Sequence, residues 1–265
     1  MTEKYDFYNI TTDGVNMEMD VVVRLVNAET DTNMMFTTRT SFSSRELQYL
    51  KDSYEAICKL QLEGFGFSSR DKAFNLWVRN SGSIHEMELH DTRFESPYSS
   101  QGRFFFSSPH DIISSKYNDI KEVLNGETKE RIFSPESSFS IVFPRIVEQI
   151  DNELSVCAIS ISSPFYQVTR KYDCNSHELE ALKKSILEFE NKKIEEFNIL
   201  GDFMEISFYR NDDFVEVIGN ITDFTWPEPN EITFHELIGM SFLKNMYISL
   251  QNLSVDHGVG STDHL

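Results

Sequence analysis

Two stretches share one pattern: SSRELQYL at Ser43–Leu50 and NSHELEAL at Asn175–Leu182. Each has a small polar residue, Ser, a variable residue, Glu, Leu, and a second Leu three residues further on. The two starts lie 132 residues apart. Ser43 with Glu46, and Asn175 with Glu178, fit a capping box. The cap side chain accepts from the amide three residues on, and the Glu reaches back to the cap amide. Behind each cap the apolar residues keep the same offsets. They are Leu47, Leu50, Tyr54 and Ile57 in one helix, and Leu179, Leu182, Ile186 and Phe189 in the other. Both sets form one stripe of an amphipathic helix.

The flanks agree with the helices. Upstream, VVVRLV at Val21–Val26 matches VCAISI at Val156–Ile161, and YDFY at Tyr5–Tyr8 matches SIVF at Ser140–Phe143. These are β-branched and aromatic strand runs. A third strand precedes each helix, ending at Phe42 and at Tyr172. Downstream, Leu76–Arg79 matches Ser207–Arg210, and Ile84–His90 matches Phe214–Ile221, each pair joined as a hairpin through polar turn residues. A strand from Arg103 and one from Glu231 come next, then helices over about 111–124 and 238–250. GFGF at Gly64–Phe67 reads as a loop, with Gly64 as a helix C-cap. The chain therefore reads as α+β, an internal duplication of a β-β-β-α-β-β-β-α unit. Each half is expected to carry an antiparallel sheet with one long helix packed on it. The units are 1–130 and 131–253, joined through a polar linker near 125–138, and 254–265 is a polar, Gly-rich tail. A duplication predicts pseudo-two-fold halves in one monomer, with a weak homodimer as the alternative state.

The 265 residues include 22 Phe and are 40% hydrophobic, enough for real cores. Charge is one-sided, 24 Lys and Arg against 43 Asp and Glu, for a formal −19. Such a chain repels nucleic-acid phosphates and anionic membranes and attracts basic partners. The N-terminal MTEKYDFYNI has no basic and apolar leader pattern, and no apolar run approaches the length of a membrane span. The expected compartment is the cytoplasm. Cys58, Cys157 and Cys174 show no CxxC and no zinc spacing; Cys58 and Cys157 read as small core residues.

No catalytic signature is present. GxSxG, Walker A, GxGxxG and HExxH are all absent. His85 and His90, five apart in one strand, point to opposite faces and cannot share a metal. His257 and His264, with Asp256 and Asp263, match no ligand template. The expectations are no enzyme, no catalytic residue, no metal and no cofactor.

What remains is charge. Beyond Lys193 only Arg210 and Lys244 are basic, against 13 acidic residues. This zone supplies the candidate partner-binding residues: Asp202, Glu205, Asp212, Asp213, Glu216, Asp223, Glu228 and Glu231, with Trp226 as an aromatic contact among them. A solvated face explains such acids, and so does docking of a basic protein.

The two halves also resemble a family. SSRELQYLKDSYEAI with FNLWVR and IHEMELHD in the first copy, and NSHELEALKKSILEF with MEISFYR and FVEVIGNI in the second, are similar to WapI-type immunity proteins of bacterial contact-dependent toxin systems. The chain departs from their single-domain form by being doubled. The resemblance implies binding rather than catalysis: an inhibitor that neutralises a basic toxin domain, such as a nuclease, by occluding its active site. The alternatives from the residues are a structural or regulatory interaction protein with a pseudo-dimeric core, or an acidic nucleic-acid mimic. A mimic requires carboxylates spaced like phosphates along one face.

Overall fold

The computed structural model describes residues 2–12, 16–79, 84–91, 96–107, 110–125, 138–149, 154–224 and 228–253. Most of the expected linker, Trp226 and the Gly-rich tail lie outside these residues. Strands β1 (Thr2–Thr12), β2 (Asn16–Asn27) and β3 (Thr32–Ser43) lead into helix α1 (Ser44–Cys58). Strands β4 (Gly64–Ser68), β5 (Phe74–Arg79), β6 (Ile84–His90) and β7 (Ser100–Ser107) follow, then α2 (His110–Leu124). Next come β8 (Ser140–Gln149), β9 (Leu154–Ser162), β10 (Tyr166–Asn175) and α3 (Ser176–Glu190). The chain continues through β11 (Glu196–Gly201), β12 (Met204–Asn211), β13 (Phe214–Asp223), β14 (Asn230–Gly239) and α4 (Ser241–Gln251).

The strands make two antiparallel sheets, so the fold is α+β. One has six strands in the order β1-β2-β3-β10-β9-β8, the other eight in the order β11-β12-β13-β14-β7-β6-β5-β4. Early and late strands meet at β3–β10, where Met35 pairs with Gln167, and at β14–β7, where Ile232 pairs with Gly102. The inner faces of the two sheets pack on each other. Phe7 meets Phe74 at 6.4 Å between ring centroids, and Tyr166 stacks on Phe234 at 5.1 Å. Arg170 of β10 donates to the carbonyls of Phe203 and Thr222, both at 3.0 Å, and Thr38 donates to the carbonyl of His90. One continuous apolar core fills the space between the sheets. Period-two alternation delivers it: Val21, Val23 and Leu25 point in while Arg24 and Val26 point out.

The helices close the two ends of this sandwich. α1 and α2 pack together against β1, β3 and β4, and α3 and α4 pack against β8, β10 and β11. Both capping boxes form. The Glu46 amide donates to Ser43 Oγ at 3.2 Å, and the Ser43 amide to the Glu46 carboxylate at 2.6 Å. The Glu178 amide donates to Asn175 Oδ1 at 2.8 Å, and the Asn175 amide to the Glu178 carboxylate at 2.9 Å. Leu47, Leu50, Tyr54 and Ile57 are all buried, as are Leu182, Ile186 and Phe189; Leu179 is half-buried at the rim.

The architecture differs from the sequence expectation in three ways. Neither sheet belongs to one half: each runs through both, because the sheets bury their apolar faces against each other and leave the helices to plug the ends. A strand follows each of the first and third helices where a loop was expected. α1 is capped at Lys59, with Leu60 at φ 58°, so Gly64 is no cap. Gly64 instead lies in β4 against β5, where an added Cβ would sit 2.6 Å from the Val78 carbonyl. Finally, β14 continues to Gly239, so Ile238 is in a strand and the last helix begins at Ser241.

Candidate functional site: the outward face of the eight-stranded sheet

The inner face of the eight-stranded sheet is covered; its outer face is open. Alternation sends Glu205, Ser207 and Tyr209 of β12 outward, with Glu216, Ile218 and Asn220 of β13 and Glu231, Thr233 and His235 of β14. Register sets them in rows. Glu205 pairs with Asn220, which pairs with Thr233; Ser207 pairs with Ile218, which pairs with His235; Tyr209 pairs with Glu216, which pairs with Leu237. Pro97 and Ser99, in the loop before β7, form a wall over these rows. The His235 amide donates to the Ser99 carbonyl at 3.0 Å, and the Tyr98 ring meets the His235 ring edge-on at 4.8 Å. Wall and rows together enclose an open cleft of about 490 Å³.

The electrostatics of this face are asymmetric. On the early strands the outward acids are matched by the chain itself. Arg103 of β7 binds Glu86 of β6 through two nitrogens, at 2.6 and 3.1 Å, and Gln101 donates to Glu88. On β11–β14 no Lys or Arg faces outward among the described residues, because Arg210 points inward over the Phe189 ring. Two of the acids there have side-chain partners. Glu216 meets His235 Nε2 at 2.6 Å, and Glu231 accepts from Asn220 at 2.6 Å and faces Arg103 across the seam. Glu205 is exposed and makes no ion pair among the described residues. Between them Tyr209, Ile218 and Leu237 expose apolar surface, and Leu200 of β11 is 61% exposed.

The remaining candidates fall elsewhere. Asp202 lies in the two-residue turn between β11 and β12, and Asp212 and Asp213 form the turn at the opposite end of β12. Both turns place a residue at positive φ, Phe203 at 61° and Asp212 at 55°. Glu228 is exposed ahead of β14. Asp223 is buried on the inner face, where Asn27 donates to it at 3.0 Å and Thr30 at 2.8 Å. Its carboxylate belongs to the junction of the two sheets. The structure adds Tyr98, Ser207, Tyr209, Asn220 and His235, none of which charge alone identifies. Strand parity was the available signal, since His235 shares a face with Glu231 four residues earlier.

A second polar group lies sealed in the core at the α1–α2 end. Lys116 of α2 donates to the Tyr5 carbonyl, to Asp6 at 3.3 Å and to Asp119 at 2.9 Å, and sits 4.5 Å over the Tyr5 ring. The hydroxyls of Tyr5 and Tyr54 are in contact, and burial pushes both phenols up. His85 stacks on Tyr54. Burial, with the Lys116 charge adding to it, pulls the imidazole down to about 4.

Among the described residues no group of three His, Cys, Asp or Glu side chains could hold a metal ion, and no helix is long and apolar enough to cross a membrane. Comparison with protein-family models, with curated proteins and with solved structures finds no match.

Proposed function

We propose that the chain is a non-enzymatic, cytoplasmic protein-binding module that holds a basic partner on the outward face of β12–β14. As an immunity-type inhibitor it neutralises a basic toxin domain by covering its active site. One observation carries this reading: Glu205, Glu216 and Glu231 stand on an open face where β11–β14 offer no outward Lys or Arg among the described residues, and Arg103 across the seam is held by Glu86. Carboxylates that outnumber the cations on an open face raise the association rate of a basic protein and select it over acidic ones. Exposed Tyr209, Ile218 and Leu237 supply the apolar contact that charge alone lacks. The acids do not form a phosphate-like row. Asp223 is buried, and Asp202 and Asp212 sit at opposite ends of β12, which favours a protein partner over nucleic-acid mimicry.

We also infer that the two halves, 1–130 and 131–253, arose by duplication and relate by a pseudo-two-fold axis. The order of elements recurs, both helices start in a capping box, and both sheet orders read the same from either end once equivalent strands are matched. The register supports it further. Met35 and Gln167 are cross-strand partners, and they are separated in sequence by the same interval as Ser43 and Asn175. A residue paired with its own counterpart lies on a two-fold axis.

The test is affinity purification of the tagged chain from its native cell at low salt, beside a Glu205→Gln/Glu216→Gln/Glu231→Gln variant. A basic protein retained by the first and lost by the second supports the reading. Equal retention, or retention that salt does not weaken, counts against it.

A further inference from the structure

Cys157 on β9 and Cys174 on β10 meet inside the core. The strands pair antiparallel, with Cys157 opposite Tyr172 and Cys174 opposite Ser155, so the cysteines are diagonal neighbours on the inward face. Both are fully buried thiols, and their sulfurs lie 2.9 Å apart. A disulfide bond is about 2.05 Å long, so an approach of roughly 0.9 Å separates this contact from a covalent bond.

The pair is chemically uneven. Cys174 Sγ lies 3.5 Å from the Ser155 carbonyl, and the two thiols share a hydrogen bond in which either can donate. That hydrogen bond pulls the Cys157 thiol down against the upward push of burial, while the same bond, burial and the neighbouring Cys157 and Glu178 push Cys174 up. Cys157 is therefore the nucleophile and Cys174 the resolving thiol. The nearest sheet edge is β8. Cys157 pairs on its other side with Ile146 of β8, and the β8–β9 register slips both before and after that residue. Such irregularities leave backbone unpaired at a sheet edge.

We propose that Cys157 and Cys174 form a reversible redox modification site, in which a hydroperoxide converts the dithiol to an intrachain disulfide that ties β9 to β10 at the foot of α3. With hydrogen peroxide, the Cys157 sulfur attacks one oxygen; an S–O bond forms, the O–O bond breaks, and the hydroxide that leaves takes the Cys157 thiol proton as water. The Cys174 sulfur then attacks the Cys157 sulfur; the S–S bond forms, the S–O bond breaks, and the departing hydroxide takes the Cys174 proton as a second water. The two sulfurs lose two electrons and the peroxide gains them. A thiol reductant reverses the step by exchange.

The test treats the folded full-length chain with hydrogen peroxide, then denatures it, alkylates the remaining thiols and maps them by mass spectrometry. The expected product has lost two hydrogens, carries a Cys157–Cys174 linked peptide, alkylates only at Cys58, and regains all three thiols after dithiothreitol. In Cys174→Ser the same treatment stops without a crosslink and adds oxygen at Cys157. Three alkylated thiols in the wild type after peroxide would overturn the proposal. So would oxygen added at Cys157 with no link to Cys174, or a link from either residue to Cys58.

Discussion

His85 of β6 lies against Tyr54 of α1, ring centroids 6.0 Å apart and planes 22° from parallel, and neither imidazole nitrogen has a hydrogen-bond partner among the described residues. The groups around it are Tyr5 of β1, Tyr54 of α1 and Lys116 of α2, and the lysine is held in turn by Asp6 and Asp119. The imidazole titrates near 4 in the folded chain and near 6.5 when unfolded. Between those values the unfolded chain binds the proton and the folded chain does not. Stability is therefore full above about pH 6.5 and falls as pH drops toward 4, by on the order of 3 kcal/mol from this residue. His85→Phe removes the titration and two unpartnered buried nitrogens. It is expected to flatten the urea-derived stability profile over that window and to raise stability at pH 7 by about 1 kcal/mol. An unchanged slope in the variant would refute this account of the acid limb.

The two capping boxes make a paired prediction. Ser43→Ala and Asn175→Ala each remove the oxygen that satisfies a first-turn amide, and each is expected to cost about 1 kcal/mol. The caps sit on helices at opposite ends of the sandwich, so the double variant loses the sum. Urea denaturation of the four proteins checks it, with strong non-additivity as the contrary outcome.

Gly219 of β13 pairs with Phe234 of β14, and an added Cβ would sit 2.0 Å from the tip of that ring. Phe234 in turn stacks on Tyr166 from the other sheet, so it has little room to move. Gly219→Ala is expected to destabilise by roughly 1–3 kcal/mol. Phe234→Leu, costly alone, is expected to cost less in the Gly219→Ala background.

Asp223 separates structure from binding. It accepts from Asn27 of β2 and Thr30 of the β2–β3 turn and lies near Arg170, whose guanidinium charge burial disfavours. Asp223→Ala strands those donors and is expected to lower stability by about 3 kcal/mol. The salt dependence of partner capture by the folded fraction should not change.

Local features were legible in the chain. The caps and stripes around Ser43 and Asn175 depend only on neighbours, and strand parity put His85 and His90 on opposite faces. Pairing between distant strands was not legible. Nothing in MFTTRTSF names FYQVTRKY as its partner, so a sheet in each half was the natural expectation. β4 was hidden by its glycines, which punctuate a loop as readily as they allow the close approach of a neighbouring strand. The acids of the second half were visible as a count. Their division into outward Glu205, Glu216 and Glu231, turn Asp202, Asp212 and Asp213, and buried Asp223 depends on register, which composition does not carry.

The outward acids of β12–β14 are tested most directly by the affinity of the captured basic protein at several salt concentrations, for the wild type and for Glu205→Gln/Glu216→Gln/Glu231→Gln. Binding to the wild type should weaken steeply with salt, and the variant should bind about tenfold or more weakly at low salt with a shallower dependence. Equal affinity and equal salt dependence in the two proteins would contradict a docking role for this face.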